Sequence, residues 1–181
     1  MSQYTEKQIK AVVKEGGKRG VEIDGAATMG GLEFFCTKVD EPAGDLELMK
    51  HTLEAMNKEI DPNDEESKGG SGWIGKLIVS INDDQTALVA YVPEDKQAKI
   101  NAAEWLKDVL SVYDEAKFEE STAGLARAIV PKNADKGTFS LKVRDDVISR
   151  GISYLRSKGA FPEAEDSDSE PAMGDDFFDN L

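Results

Sequence analysis

Lys76-Leu77-Ile78-Val79-Ser80-Ile81-Asn82-Asp83-Asp84-Gln85-Thr86-Ala87-Leu88-Val89-Ala90-Tyr91-Val92 reads as a β-hairpin. Two apolar runs, 76–81 and 86–92, flank a polar Asn-Asp-Asp-Gln turn, the pattern of antiparallel strands joined by a tight connection. Pro93 lacks the N–H needed to extend the second strand. The elements on either side are placed by this pair. Upstream, Asp61 to Gly72 is a polar loop with a Lys68-Gly69-Gly70 turn signal. Before it, Asp45 is a candidate N-cap for a helix over 45–59, with Leu46, Met49, Leu53, Met56 and Ile60 at helical spacing and Pro62 as the stop. Leu32 to Val39 is rich in aromatic and β-branched residues and reads as a strand.

Downstream, Asn101-Ala102-Ala103-Glu104 has the form of a capping box, an Asn cap with a glutamate three residues on. The helix it opens, 102–113, places Trp105, Leu106, Val109, Leu110 and Tyr113 on one side. Asp145 or Asp146 can cap a last helix near 146–158, with Val147, Ile148, Gly151, Ile152 and Leu155 inward and Gly159 as its C′ residue. Residues 5–15 form a short candidate helix carrying Ile9, Val12 and Val13. The β-α-β-β-α order predicts an α/β fold: a small sheet with helices packed on one face, an added C-terminal helix and an acidic tail.

The chain has 181 residues, 22 Lys+Arg against 36 Asp+Glu, and a net charge of −14. No apolar run approaches the roughly 18–20 residues that span a bilayer, so no membrane partner is expected. The N-terminus lacks the apolar core of a secretory signal. A single cysteine, Cys36, excludes an internal disulfide framework and suits a reducing, cytoplasmic compartment. One Cys and one His cannot supply the usual four ligands of structural zinc. Any Cys–His or Ser–His–Asp arrangement must use His51, and nothing around it resembles a nucleophile elbow. His51 reads as a surface residue and Cys36 as a small buried hydrophobe. No enzyme activity, cofactor, metal or small-molecule substrate is expected.

Gly70-Ser71-Gly72-Trp73-Ile74-Gly75-Lys76 matches the first part of a phosphate-loop pattern. Leu77 stands where Ser or Thr should hold magnesium, and the segment leads into a strand rather than a helix. It reads instead as a loop whose Trp73 either docks on the core or contacts a partner. Asp83-Asp84 and Asp145-Asp146 sit at a turn and a helix start, ordinary places for carboxylates.

Charge is unevenly spread. From Glu163 to Leu181 there are eight acidic residues and no basic one, so this tail is expected to be disordered. Its Phe177, Phe178 and Leu181 are candidate anchors for docking on a partner. Between Leu125 and Lys158 the balance is +5. Within it Lys132, Lys136, Lys142, Arg144, Arg150 and Arg156 are candidate contacts to RNA phosphates, as against cations paired with nearby acids. Residues 1–20 are mildly basic, with Lys7, Lys10, Lys14, Lys18 and Arg19 against Glu6 and Glu15.

Residues from about Gly31 to Val130 resemble the C-terminal, DHHA1-type domain of alanyl-tRNA synthetases, as a degenerate free-standing version. Leu32 to Asp40 resembles its first strand and Gly44-Asp45-Leu46-Glu47-Leu48-Met49 the opening of its first helix. Gly75 to Ser80 and Ala87 to Glu94 resemble its hairpin, and Lys99 to Lys107 the start of its second helix. After Tyr113 the family's glycine-rich stretch is replaced by an acidic loop, Asp114 to Gly124. His51 is flanked by Lys50 and Thr52, so no Asp-His-His signature is present.

The resemblance implies a non-catalytic module binding tRNA or another RNA in translation. The alternative is a protein-interaction adaptor within a larger complex. The implied organisation is a basic segment 1–20, the synthetase-like domain 21–130, a helical extension 131–162 set against the sheet edge or end, and the tail 163–181. The resemblance also implies that the helices at 45–59 and 102–113 share one face of the sheet. Opposite faces would speak against it.

Overall fold

The computed structural model describes residues 4–63 and 65–162. Its elements are α1 (Glu6–Gly30), β1 (Phe34–Lys38), α2 (Leu46–Asn57), β2 (Gly75–Ile81), β3 (Gln85–Tyr91), α3 (Ala102–Val109), β4 (Lys117–Ser121), β5 (Leu125–Pro131) and α4 (Ser140–Ser157). The five strands form one sheet in the order β1-β2-β3-β5-β4. β1 and β2 are parallel, joined by the α2 crossover, and every other pair is antiparallel. The expected β2–β3 hairpin is present, with Ile78 opposite Val89.

The α/β class holds, but the helices cover both faces rather than one. One core joins α3 and α4 to Phe34, Leu77, Val79, Leu88, Ala90, Ala126 and Ala128. The other joins α1 and α2 to Phe35, Ile78, Ala87 and Val89. The physical reason lies in the central strands. Successive side chains point to opposite faces, and Leu77-Ile78-Val79 and Ala87-Leu88-Val89-Ala90 are apolar at every position and buried throughout. A strand without alternation needs cover on both sides. The helices expected to share one face, at 45–59 and 102–113, therefore lie on opposite faces.

Four further expectations are corrected. α1 runs through Gly16, Gly17, Gly20 and Gly25 to Gly30, well beyond residue 15, because α2 packs against its glycine face. The acidic segment 114–124 contains β4, which pairs with β5 around a bulge at Phe118 and Glu120. α4 begins at Ser140, so Asp145 and Asp146 lie inside it, and Phe139 occupies the cap position. That helix packs across β1, β2 and β3 through Val143, Val147, Gly151 and Leu155, rather than standing at an edge or end. The other two expected caps are made: Asp45 accepts from the Leu48 N–H at 3.1 Å and Asn101 from the Glu104 N–H at 3.1 Å. Among the described residues, no helix is long and apolar enough to cross a membrane.

Candidate nucleic-acid interface

The basic residues of the C-terminal segment are dispersed. Lys136, in a short turn before α4, lies 3.6 Å from Asp114 and 3.4 Å from Glu115. Arg144 pairs with Asp145 at 3.1 Å and Arg150 with Asp146 at 2.8 Å. Asp146 also accepts from the Tyr113 hydroxyl, whose pKa is raised by burial and by this hydrogen bond. Arg156 donates to the Pro162 carbonyl at 2.8 Å and lies over the Phe161 ring. Lys132 and Lys142 are exposed and form no ion pair among the described residues. Lys142 borders a cavity of about 280 Å³ with Val112, Tyr113 and Thr138. Arg144 and Arg150 are six residues apart on α4, roughly two-thirds of a turn around its axis. The six cations therefore do not share one face. Phe177, Phe178 and Leu181 lie outside the described residues.

A second set of cations is organised by α1. Lys7, Lys10, Lys14 and Lys18 are all exposed. At about 100° per residue they fall within about 80° of arc, over a length of about 16 Å. Val12, Gly16, Gly20, Ile23 and Ala27 form a buried face opposite them, while Gly17, buried against Lys68, lies at the edge of the lysine row. None of the four lysines forms an ion pair among the described residues. Of the two acids adjacent to them in sequence, Glu6 and Glu15, the second is occupied: its carboxylate accepts from the backbone N–H groups of Asp40 and Glu41 at 2.8 and 2.9 Å. Burial raises the Glu15 pKa, partly offset by those two hydrogen bonds. The lysine spacing is visible in the sequence, but reading it as one row requires that the helix continue past Gly16.

The loop 68–75 lies along the same helix. The Gly69 N–H donates to the Gly17 carbonyl at 2.8 Å and the Gly70 N–H to the Lys58 carbonyl at 2.7 Å. Both glycines hold positive φ, 82° and 85°, a conformation that side chains with a Cβ rarely adopt. Beneath the loop Lys76 is fully buried. Its ammonium donates to Asn57 Oδ1 (2.5 Å), Ser71 O (2.7 Å) and Ile74 O (3.0 Å), which uses all three protons, and it lies over the Tyr91 ring at 4.6 Å. Burial among neutral acceptors lowers its pKa to about 7. Lys76 thus ties the loop to the sheet and cannot serve a phosphate. The Tyr91 hydroxyl adds a bond to Gly72 O at 2.8 Å.

Trp73 sits at the tip of this loop, 40% exposed. Its indole N–H donates to Asp24 Oδ1 on α1 at 2.7 Å, and the Lys96 ammonium lies 5.7 Å from the ring centroid. A groove of about 510 Å³ opens nearby, lined by Leu53, Asn57, Tyr91, Pro93, Gln97 and Leu125. His51 is half-buried on α2. Cys36 packs into the core on the other face, and burial pushes its thiol far above its ordinary pKa. The sheet separates the two, so they form no nucleophilic pair.

No family model and no curated protein matches the chain. Among solved structures, the chain is similar to the C-Ala domain of alanyl-tRNA synthetase from Aquifex aeolicus. The identity is 16% and the TM-score 0.32, over 65% of this chain and 90% of that one. A similarity at that TM-score carries neither a ligand nor a site across to this chain.

Proposed function

We propose that the protein is a non-catalytic module that binds RNA, tRNA or another RNA of translation, through the solvent face of α1. The observation that supports this reading is the row Lys7, Lys10, Lys14 and Lys18, four exposed lysines without carboxylate partners among the described residues. What sets these four apart is their alignment on one helix face, whereas Lys136, Arg144 and Arg150 each have an acid beside them. A linear row suits a phosphodiester backbone, which presents negative charge at regular intervals. The net charge does not forbid it, since screening confines charge effects to about 8–10 Å at physiological ionic strength. Lys132 and Lys142 are secondary phosphate contacts on this reading.

A protein-adaptor reading has its own observation. Val112, Phe139 and Leu141 are 52%, 48% and 58% exposed near the smaller cavity, which suits an apolar partner surface. The test is binding of tRNA at two salt concentrations, with Lys10→Gln, Lys14→Gln and Lys18→Gln combined as the variant. The triple variant should bind weaker, and its salt slope should fall by roughly one for each phosphate it no longer neutralises. If the unaltered protein binds no RNA at low salt, the adaptor reading takes its place.

A further inference from the structure

We infer that Trp73 is a stacking platform for an unpaired base of the RNA whose backbone follows the α1 lysines, so that single-stranded RNA is preferred over duplex. This inference rests on the RNA-binding reading above and adds the form of the ligand.

Trp73 has an unusual setting. An indole side chain that merely completes a core is buried, as Trp105 is, at 0% exposure. Trp73 keeps 40% of its surface in solvent while its position is fixed. The N–H is tied to Asp24 at 2.7 Å. The loop that carries it is anchored by the Gly69 and Gly70 N–H groups, by Lys76 and by the Tyr91 hydroxyl. A ring held this way loses little freedom when a flat partner lies on it.

The surroundings indicate which partner. Gly17 and Asp24 are seven residues apart, two helical turns on the same flank of α1. Lys68 packs against Gly17 and Trp73 is bonded to Asp24, so the loop lines that flank beside the lysine row. Lys96 lies over the ring itself. An exposed aromatic face with Lys96 at the ring, on a loop whose Lys68 packs against the helix that carries the lysine row, has the elements that bind single strands: cations track the backbone and the ring receives a base. A duplex offers the same phosphates but keeps its bases paired.

The experiment uses the full chain with a fluorescein-labelled oligouridylate and an RNA duplex of equal length, read by anisotropy at low salt. Trp73→Ala should weaken the single strand by about tenfold and the duplex by less than about twofold, while Trp73→Phe stays within about threefold of the unaltered protein. The combined Lys10, Lys14 and Lys18 to Gln variant should lose affinity for both. Because Trp105 is buried, quenching of indole emission in the unaltered protein on adding the oligouridylate reports Trp73 without any substitution. If Trp73→Ala binds the single strand as well as the unaltered protein, or saturating oligouridylate leaves the emission unchanged, the stacking inference is overturned, and the RNA reading stands if the lysine variant still loses binding. If the unaltered protein binds neither RNA, both fall.

Discussion

Gly16 lies so close to Thr52 that a Cβ built on it would stand 2.4 Å from the Thr52 carbonyl oxygen. Gly20 stands in the same relation to the Met56 carbonyl, at 2.7 Å. The two glycines, one turn apart, let α1 and α2 approach backbone to backbone, and α1 owes its seat to that approach. The obstructing atoms belong to the α2 backbone, so they cannot swing aside.

Gly16→Ala should therefore destabilise the fold by about 1–3 kcal/mol, even though alanine is favoured over glycine in a helix by about 1 kcal/mol. Gly25 is the control. It lies in the same helix with nothing within 4 Å of a built Cβ, and Gly25→Ala should stabilise by up to about 1 kcal/mol. Urea denaturation of the two variants beside the parent checks both signs. Opposite signs are expected only if α1 extends through residue 25.

Lys76 makes stability depend on pH in an uncommon direction. Its pKa is lowered by burial from 10.5 to about 7 in the folded protein. Between those values the unfolded chain holds a proton that the folded one has released, so stability rises with pH above about 7, by at most about 1.4 kcal/mol per pH unit. Below pH 7 both states are protonated and the effect vanishes. Cys36, Tyr91, Tyr113 and Tyr154 have raised pKa values and oppose the trend once their unfolded forms ionise, from about pH 9. Urea midpoints at several pH values between 6 and 8.5 should rise for the parent and stay level for Lys76→Met.

The hairpin at 75–91 and the caps at Asp45 and Asn101 are legible because each is written locally, in alternation, turn chemistry and cap residues. The two-layered cover is also written, in the unbroken apolar run Leu77-Ile78-Val79, but counting one apolar side per helix points to a single face. The extent of α1 is hidden because Gly16-Gly17 reads as a breaker, and only α2 explains it as a packing surface. β4 is hidden because Lys117, Glu119 and Glu120 belong to an exposed edge strand, where charge guards against further pairing. The row on α1 is obscured for the same reason as the helix. Trp73 stands out in the sequence, but its bond to Asp24, 49 residues away, is visible only in the fold.

The tail from Glu163 to Leu181 carries eight carboxylates and no cation on the same chain as the lysines. Tethered polyanion competes with free polyanion at a high effective concentration. Truncation after Pro162 should raise RNA affinity several-fold at low salt and steepen its salt dependence. Titrations of the full and truncated chains at two salt concentrations read both, and an unchanged affinity would show that the tail does not compete.

Trp105 joins the layers on the α3 side. It follows the Asn101 cap, is fully buried, and meets Phe34 of β1 edge-on, with ring centroids 6.1 Å apart and planes at 89°. Its N–H donates to the Gly151 carbonyl on α4 at 3.2 Å. One side chain therefore touches the helix that carries it, the sheet and the neighbouring helix. Trp105→Ala removes the ring from a site whose neighbours are held by β1 and α4 and cannot close the space, so it should cost about 3–5 kcal/mol. Trp105→Phe keeps most of the apolar packing but leaves the Gly151 carbonyl without the indole donor, and should cost less. If both substitutions cost the same, the hydrogen bond to α4 rather than the packing dominates. Thermal and urea unfolding of the two variants separates these outcomes, with oligouridylate binding as a check that the α1 face, on the far side of the sheet, is undisturbed.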